Sequence, residues 1–140
     1  MIEKFSYQNI LLAIIVRKDF HKEGISFLTD GDSLLEMGYM SHPAGHIIIP
    51  HTHPPFLRQT HGTQEVIFLK SGKMRVDFYS DQKMCVGTRE LVGGDWIVLL
   101  AGGHGIELLE PSVLIEVKNG PYAGEEDKIR FKPNQVVENT

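Results

Sequence analysis

Two histidines, His51 and His53, stand one residue apart in the stretch GHIIIPHTHPP and are the first residues of this chain to suggest chemistry. Side chains at positions i and i+2 of an extended strand point to the same side, so two imidazoles at this spacing can bind one metal ion. A bare His-x-His pair also occurs by chance in surface loops. The hypothesis of a metal site therefore depends on further ligands elsewhere in the chain.

The residues around this pair resemble the first motif of the cupin superfamily, in which glycine, His-x-His, glutamate and a second glycine follow one another at set intervals. Gly45 is separated from His51 by five residues, and Glu65 is separated from Gly72 by six. The HisThrHisPro run looks like the germin-type version of the motif. The gap of eleven residues before Glu65 is longer than in the family. Glu65 and His61 are therefore both candidates for the third ligand.

The second cupin motif, a Gly-Asp turn followed by an apolar strand and a Gly-His ending, has a counterpart in residues 94–104. Leucine replaces the usual proline, and one residue is missing before His104. The resemblance covers about residues 34–118. It implies a small single-domain cupin, whose fold is a double-stranded β-helix, with a metal site made of His51, His53, Glu65 and His104.

The ligand set implied by the resemblance indicates which metals and reactions to expect. Three neutral imidazoles and one carboxylate favour a divalent first-row metal (Fe, Mn, Ni, Cu or Zn) over calcium or magnesium. Cupins include enzymes and binding-only domains, so the fold does not fix the activity. We expect a metal-dependent enzyme, a dioxygenase or an isomerase, that acts on a small polar or anionic metabolite such as a carbohydrate derivative. The alternatives are a non-catalytic module that binds a metal or a sugar, and a metal-free sugar-nucleotide epimerase type with a His/Asp dyad and a tyrosine.

Three further residues are candidates for substrate binding. Arg58 lies in the insertion at residues 54–64, which we expect to overhang the barrel mouth, where a guanidinium can pair with an anionic group. A solvated loop arginine is the equal alternative. Glu116 and Lys118 share one face of a predicted strand, and they would lie near the substrate if that face lines the barrel. Such pairs more often lie at the surface and contribute little to stability.

The elements that must position these residues are short apolar segments rich in Ile, Val and Phe, separated by Gly, Pro, Asp and Asn. This pattern is typical of an all-β sandwich or barrel. Residues 73–79 alternate clearly, with Met74, Val76 and Phe78 on one face. Strands are predicted at residues 25–29, 34–40, 46–53, 64–69, 73–80, 87–91, 95–100, 105–109 and 112–118.

A chain of 140 residues fits one domain. We predict a core over about residues 25–118 and a polar tail over residues 119–140, whose last residues fray. Asp127 and Lys128 are interpreted as surface residues of this tail, unless the tail folds back over the barrel mouth.

The charge balance and the apolar run at residues 10–16 limit the partners of the protein. Fourteen Lys and Arg against eighteen Asp and Glu give a net charge of −4 without a basic cluster, which disfavours nucleic-acid binding. The apolar run is too short to span a bilayer, and Arg17 and Lys18 follow it where a signal peptide would have small residues. We therefore expect a cytoplasmic protein that does not bind membranes. The resemblance to cupins further implies a homodimer.

Overall fold

The computed structural model describes residues 1–133, and this part of the chain is all-β, as predicted. Its strands form three antiparallel sheets. The strands are β1 (Ile2–Tyr7), β2 (Ile10–Val16), β3 (Gly24–Phe27), β4 (Gly38–Ser41), β5 (Glu65–Ser71), β6 (Lys73–Tyr79), β7 (Cys85–Val92), β8 (Trp96–Leu99), β9 (Gly103–Leu108) and β10 (Val113–Lys118). A 3-10 helix (Gly124–Asp127) follows β10. Within residues 1–133, no helix is both long and apolar enough to cross a membrane.

The two larger sheets share one hydrophobic core, which makes the fold compatible with a β-sandwich. The strand order is β1-β2-β8-β5-β10 in the five-stranded sheet and β7-β6-β9 in the three-stranded sheet, while β3 and β4 form a separate pair. A single buried cluster contains side chains of β2, β5 and β8 from the first sheet and of β6 and β7 from the second. Met74, Val76 and Phe78 are at most 1% exposed, which confirms the predicted alternation of β6.

The N-terminal hairpin, β1 and β2, contributes to the core although it precedes the predicted core segment. Residues 12–16 of β2 are all at most 4% exposed. Both faces of β2 are therefore covered, which explains why its sequence is continuously apolar and does not alternate. Gln8 and Asn9 join the two strands with φ values of 50° and 64°, the conformation of a tight two-residue hairpin turn. The predicted core boundary at residue 25 is therefore wrong, because the core begins in β2.

Residues 42–64 form no strand, which contradicts the strand predicted at residues 46–53. We call residues 42–64 the long loop. Its prolines at positions 43, 50, 54 and 55 have no backbone N–H to donate to a neighbouring strand. Ile47, Ile48 and Ile49 are 60% to 77% exposed, so they do not anchor the segment in the core. The histidine pair therefore lies on an exposed loop.

The predicted tail, residues 119–140, is described only as far as residue 133. Residues 134–140, where fraying was predicted, lie outside the described residues. The described part of the tail packs against the sheets, where Phe131 contacts Tyr79 of β6.

Candidate functional site

Glu65 and His104 come together because two strands of different sheets begin side by side. Glu65 is the first residue of β5 and pairs with Leu99 of β8 in the five-stranded sheet. His104 lies at the start of β9 and pairs with Phe78 of β6 in the three-stranded sheet. The His104 Nε2 lies 3.1 Å from the Glu65 Oε2. The two side chains therefore bridge the sheets at one end of the sandwich.

The turn before β9 fixes the position of His104. Gly102 has a φ of 69°, in the left-handed region. A Cβ at this position would lie 2.5 Å from the carbonyl oxygen of Tyr79, which is closer than real contacts allow. Only glycine can therefore bring the chain this close to β6. This explains the glycines that precede His104 in the sequence.

The Glu65 carboxylate is largely buried, at 8% exposure, yet it is held in its charged form. The hydrogen bond from His104 lowers the pKa of Glu65, whereas burial raises it, and the charges of Lys118 and Lys128 lower it further. Because a carboxylate oxygen accepts, the His104 Nε2–H donates this bond. The ionised carboxylate of Glu65 therefore keeps a proton on the Nε2 of His104 and so fixes the tautomer of its imidazole.

A cleft of about 530 Å³ opens beside this pair. Its walls include Thr63, Tyr79 and Leu99, together with residues 127–131 of the tail. A volume of this size is within the range of small-molecule sites, roughly 300 to 1,000 Å³. The cleft joins a histidine, a carboxylate and apolar walls.

Residues 127–131 of the tail form one wall of the cleft, and we call residues 124–131 the C-terminal strap. The Thr63 hydroxyl donates a 2.7 Å hydrogen bond to Asp127, and the Lys118 Nζ lies 3.4 Å from the second oxygen of the same carboxylate. The ring of Phe131 packs edge-on against Tyr79, with the centroids 5.2 Å apart. The tail therefore folds back, which is the alternative to a plain surface tail; Asp127 is partly buried there and Lys128 is exposed. The apolar Phe131 within a polar segment was the signal in the sequence.

His51 and His53 form a second pair, away from the strands. Their ring centroids are 5.2 Å apart and their planes are inclined by 74°. The His51 Nδ1 lies 2.7 Å from the carbonyl oxygen of Ile49, to which it must donate its proton. The Nε2 of His51 is then left with a free lone pair. Metal-binding histidines are commonly oriented by such a bond from the other ring nitrogen.

The four predicted metal ligands thus lie in two separate pairs, Glu65 with His104 and His51 with His53. Among residues 1–133, no group of three His, Cys, Asp or Glu side chains is placed to hold a metal ion. His61, the alternative ligand, is exposed in the long loop. The complete ligand set stays a prediction.

The predicted substrate-binding residues occupy different surroundings. Arg58 is exposed, with its guanidinium 5.7 Å from the ring centre of Phe56, and it forms no ion pair with residues 1–133. The Lys118 Nζ lies 3.7 Å from Glu116 and also contacts Asp127. The ion pair of Lys118 with Asp127 therefore links the C-terminal strap to β10, next to the cleft wall. The side chain of Glu116 is 45% exposed.

The chain matches no protein-family model, no curated protein and no solved structure.

Proposed function

We propose that this protein is a metal-binding cupin, with a double-stranded β-helix fold, that acts on a small polar or anionic metabolite. The observation that carries the proposal is the contact between Glu65 and His104 at the wall of the 530 Å³ cleft. A buried ionised carboxylate beside an imidazole is half of a ligand set for a divalent first-row metal. The His51 and His53 pair is the other half.

The donor types support such an ion at His51, His53, Glu65 and His104, with His61 as the alternative to Glu65. Bound there, the ion would supply a Lewis acid or, if it is iron, a redox centre. The hydrogen bonds and ring contacts described for residues 47–61 all lie within the long loop. Residues 47–61 can therefore approach the cleft without breaking one of these contacts, whereas Gly62 and Gln64 stay bound to Asn119. Movement of the loop would be needed to unite the two pairs.

Elemental analysis of protein purified without a histidine tag tests this proposal. We expect a divalent first-row metal in near-equal amount to the protein, and its loss in the double variant His51→Ala/His53→Ala. The matched control is His42→Ala/His46→Ala, because His42 and His46 are also stacked histidines of the long loop, with ring centroids 3.8 Å apart. The control should keep its metal. Equal metal content in both double variants would refute the proposal.

The role of His104 has its own test. His104→Ala should lower metal occupancy without changing the far-UV circular dichroism of the sheets. Full occupancy in this variant would mean that the second cupin motif has been aligned with the wrong residues.

A second candidate function, metal-free acid–base catalysis, is favoured by the same contact. The Glu65 carboxylate orients His104 and would stabilise its imidazolium, as the carboxylate does in a catalytic triad. The sugar-nucleotide epimerase type also needs a tyrosine on the substrate. Tyr79 lines the same cleft as Glu65 and His104, and it is 7% exposed.

Chelation separates the two candidates. Turnover of a sugar or keto-acid substrate that survives EDTA but is lost in Glu65→Gln would favour the metal-free dyad. Turnover that EDTA abolishes and added metal restores would favour the metal-dependent enzyme. Binding without turnover across such a panel would identify a non-catalytic module.

A further inference from the structure

Contacts at two positions hold the C-terminal strap against the cleft, so the strap is part of the site. Its ends are held by different elements: Asp127 contacts Thr63 and Lys118, while Phe131 packs on Tyr79. A Cβ on Gly103 would lie 3.2 Å from the Phe131 ring. The absence of a side chain at Gly103 therefore makes room for this ring. Residues between these two anchors are held over the cleft.

Most charged groups of the cleft already have partners within residues 1–133. Glu65 accepts from His104, and Asp127 is bound by Lys118 and Thr63. These carboxylates are therefore not free to attract a cationic ligand.

The two basic residues of the strap differ in whether they form an ion pair. Arg130 forms an ion pair with Glu125 of the same segment. Lys128, which also lines the cleft, forms no ion pair with any residue of the described chain, 1–133. Among the described residues that line the cleft, Lys128 is thus the cation without an ion-pair partner.

We propose that Lys128 binds the anionic group, a carboxylate or a phosphate, of the metabolite that occupies the cleft. The C-terminal strap would then determine specificity, with Lys128 on the charged end of the ligand and the Glu65–His104 pair beside its other end. An ammonium group at the end of a flexible side chain is suited to either anion, because it acts as a point charge without a required geometry. The proposal rests on the proposed function, which makes this cleft the ligand site.

Three probes with related sugar skeletons test the proposal on the full chain. D-glucose 6-phosphate, D-gluconate and D-glucose are titrated separately into ¹⁵N-labelled protein, and the shifts of the backbone amides at residues 103–105 and 127–130 are followed. We expect larger shifts with the phosphate or the carboxylate than with neutral glucose. Lys128→Gln should weaken binding of the anionic probe about five- to tenfold and leave glucose unaffected.

The matched control is Lys132→Gln, which removes the same charge from an exposed residue that does not line the cleft. It should bind the anionic probe as the wild type does. A response to only one anion would still support the proposal and would assign the ligand class.

Equal weakening in both lysine variants, no weakening in Lys128→Gln, or anion shifts no larger than those of glucose would overturn the proposal. The metal content of Lys128→Gln should equal that of the wild type. The metal hypothesis, which is tested with the His51 and His53 variant, can therefore fail independently of this one.

Discussion

The hydroxyl of Thr63 donates a 2.7 Å hydrogen bond to the carboxylate of Asp127, 64 positions later in the chain. Thr63 lies at the end of the long loop, just before β5, and Asp127 is the last residue of the 3-10 helix in the C-terminal strap. This bond therefore joins the two segments that border the cleft. It holds the strap near Glu65, although no strand pairing involves the strap.

Replacing Thr63 with valine should loosen the strap. Valine keeps the shape of threonine but has no hydroxyl to donate, and the bond is exposed, so the free energy of global unfolding should fall by less than about 1 kcal/mol. Backbone amides of residues 124–131 should exchange with deuterium faster than in the wild type. Thr60→Val, a change in the exposed part of the same loop, is the control. Unchanged exchange in Thr63→Val would mean that other contacts hold the strap.

The same contact predicts a dependence of stability on pH. The hydrogen bond from Thr63 lowers the pKa of Asp127 below its usual value of 3.8, and Lys118 lowers it further. A carboxylate whose pKa is lower in the folded state stabilises the fold above the unfolded value, and this contribution is lost as the pH falls through the folded value. The loss should therefore occur at and below about pH 3.8.

Urea unfolding of the wild type and of Asp127→Asn at several pH values between 6 and 2 measures this effect. The difference in unfolding free energy between the two proteins should be constant above about pH 5 and shrink as the pH falls below 3.8, the usual pKa of an aspartate. Glu65 also titrates at low pH, but it does so in both proteins. A difference that does not change with pH would show that the charge of Asp127 does not stabilise the fold.

The strands with local alternation could be predicted from the sequence. Met74, Val76 and Phe78 form one buried face of β6, because a period of two residues is a property of the segment itself. The resemblance to the cupin motifs implies that Glu65 and His104 belong to one metal site; the structure joins these two residues by a hydrogen bond, and the metal site stays a prediction. These features depend on short segments and on the resemblance of their spacing to the cupin motifs.

The features that the sequence did not reveal depend on contacts between distant segments. The apolar run of β2 does not alternate, because both faces of the strand are covered. Its pattern therefore does not predict a strand. The residues 46–53 have the composition of a strand, but no neighbouring strand pairs with them. The C-terminal strap reads as a polar tail, and only its contacts with Thr63 and Tyr79 reveal its place at the cleft.

We predict that the turn before β8 contributes strongly to the free energy of unfolding. Asp95 is 1% exposed and accepts hydrogen bonds from the backbone N–H of Lys18 at 2.8 Å, the backbone N–H of Val92 at 2.9 Å and the Arg17 guanidinium at 3.0 Å. Asp95→Ala would leave the two backbone N–H groups without this acceptor and would remove one partner of Arg17, whose guanidinium keeps Glu3 and the carbonyl oxygen of Glu90. We expect it to lower the unfolding free energy by about 3 kcal/mol.

The control for this prediction is Asp81→Ala, which changes an exposed aspartate and should alter stability by less than about 0.5 kcal/mol. Urea unfolding of both variants at neutral pH measures the effect. Similar stability of the two variants would show that solvent or nearby groups replace the bonds of Asp95.

Two isoleucines of β2 test whether the N-terminal hairpin belongs to the core. Ile15 is 1% exposed and Ile10 is 50% exposed. Ile15→Ala removes buried methyl groups and leaves a cavity, so it should lower the unfolding free energy by about 2 to 5 kcal/mol. Ile10→Ala makes the same change at a half-exposed position, where less apolar area is lost from the interior, and it should cost less than about 1 kcal/mol.

Urea unfolding midpoints, interpreted with the slopes of the transitions, measure both changes. If Ile15→Ala does not fold, Ile15→Val should still fold and lose about 0.5 to 1.5 kcal/mol. Alanine lowers the strand propensity at both positions. The difference between the two losses of unfolding free energy therefore measures the effect of burial alone. Equally small losses at the two positions would mean that the burial of Ile15 in β2 contributes little to the stability of the fold.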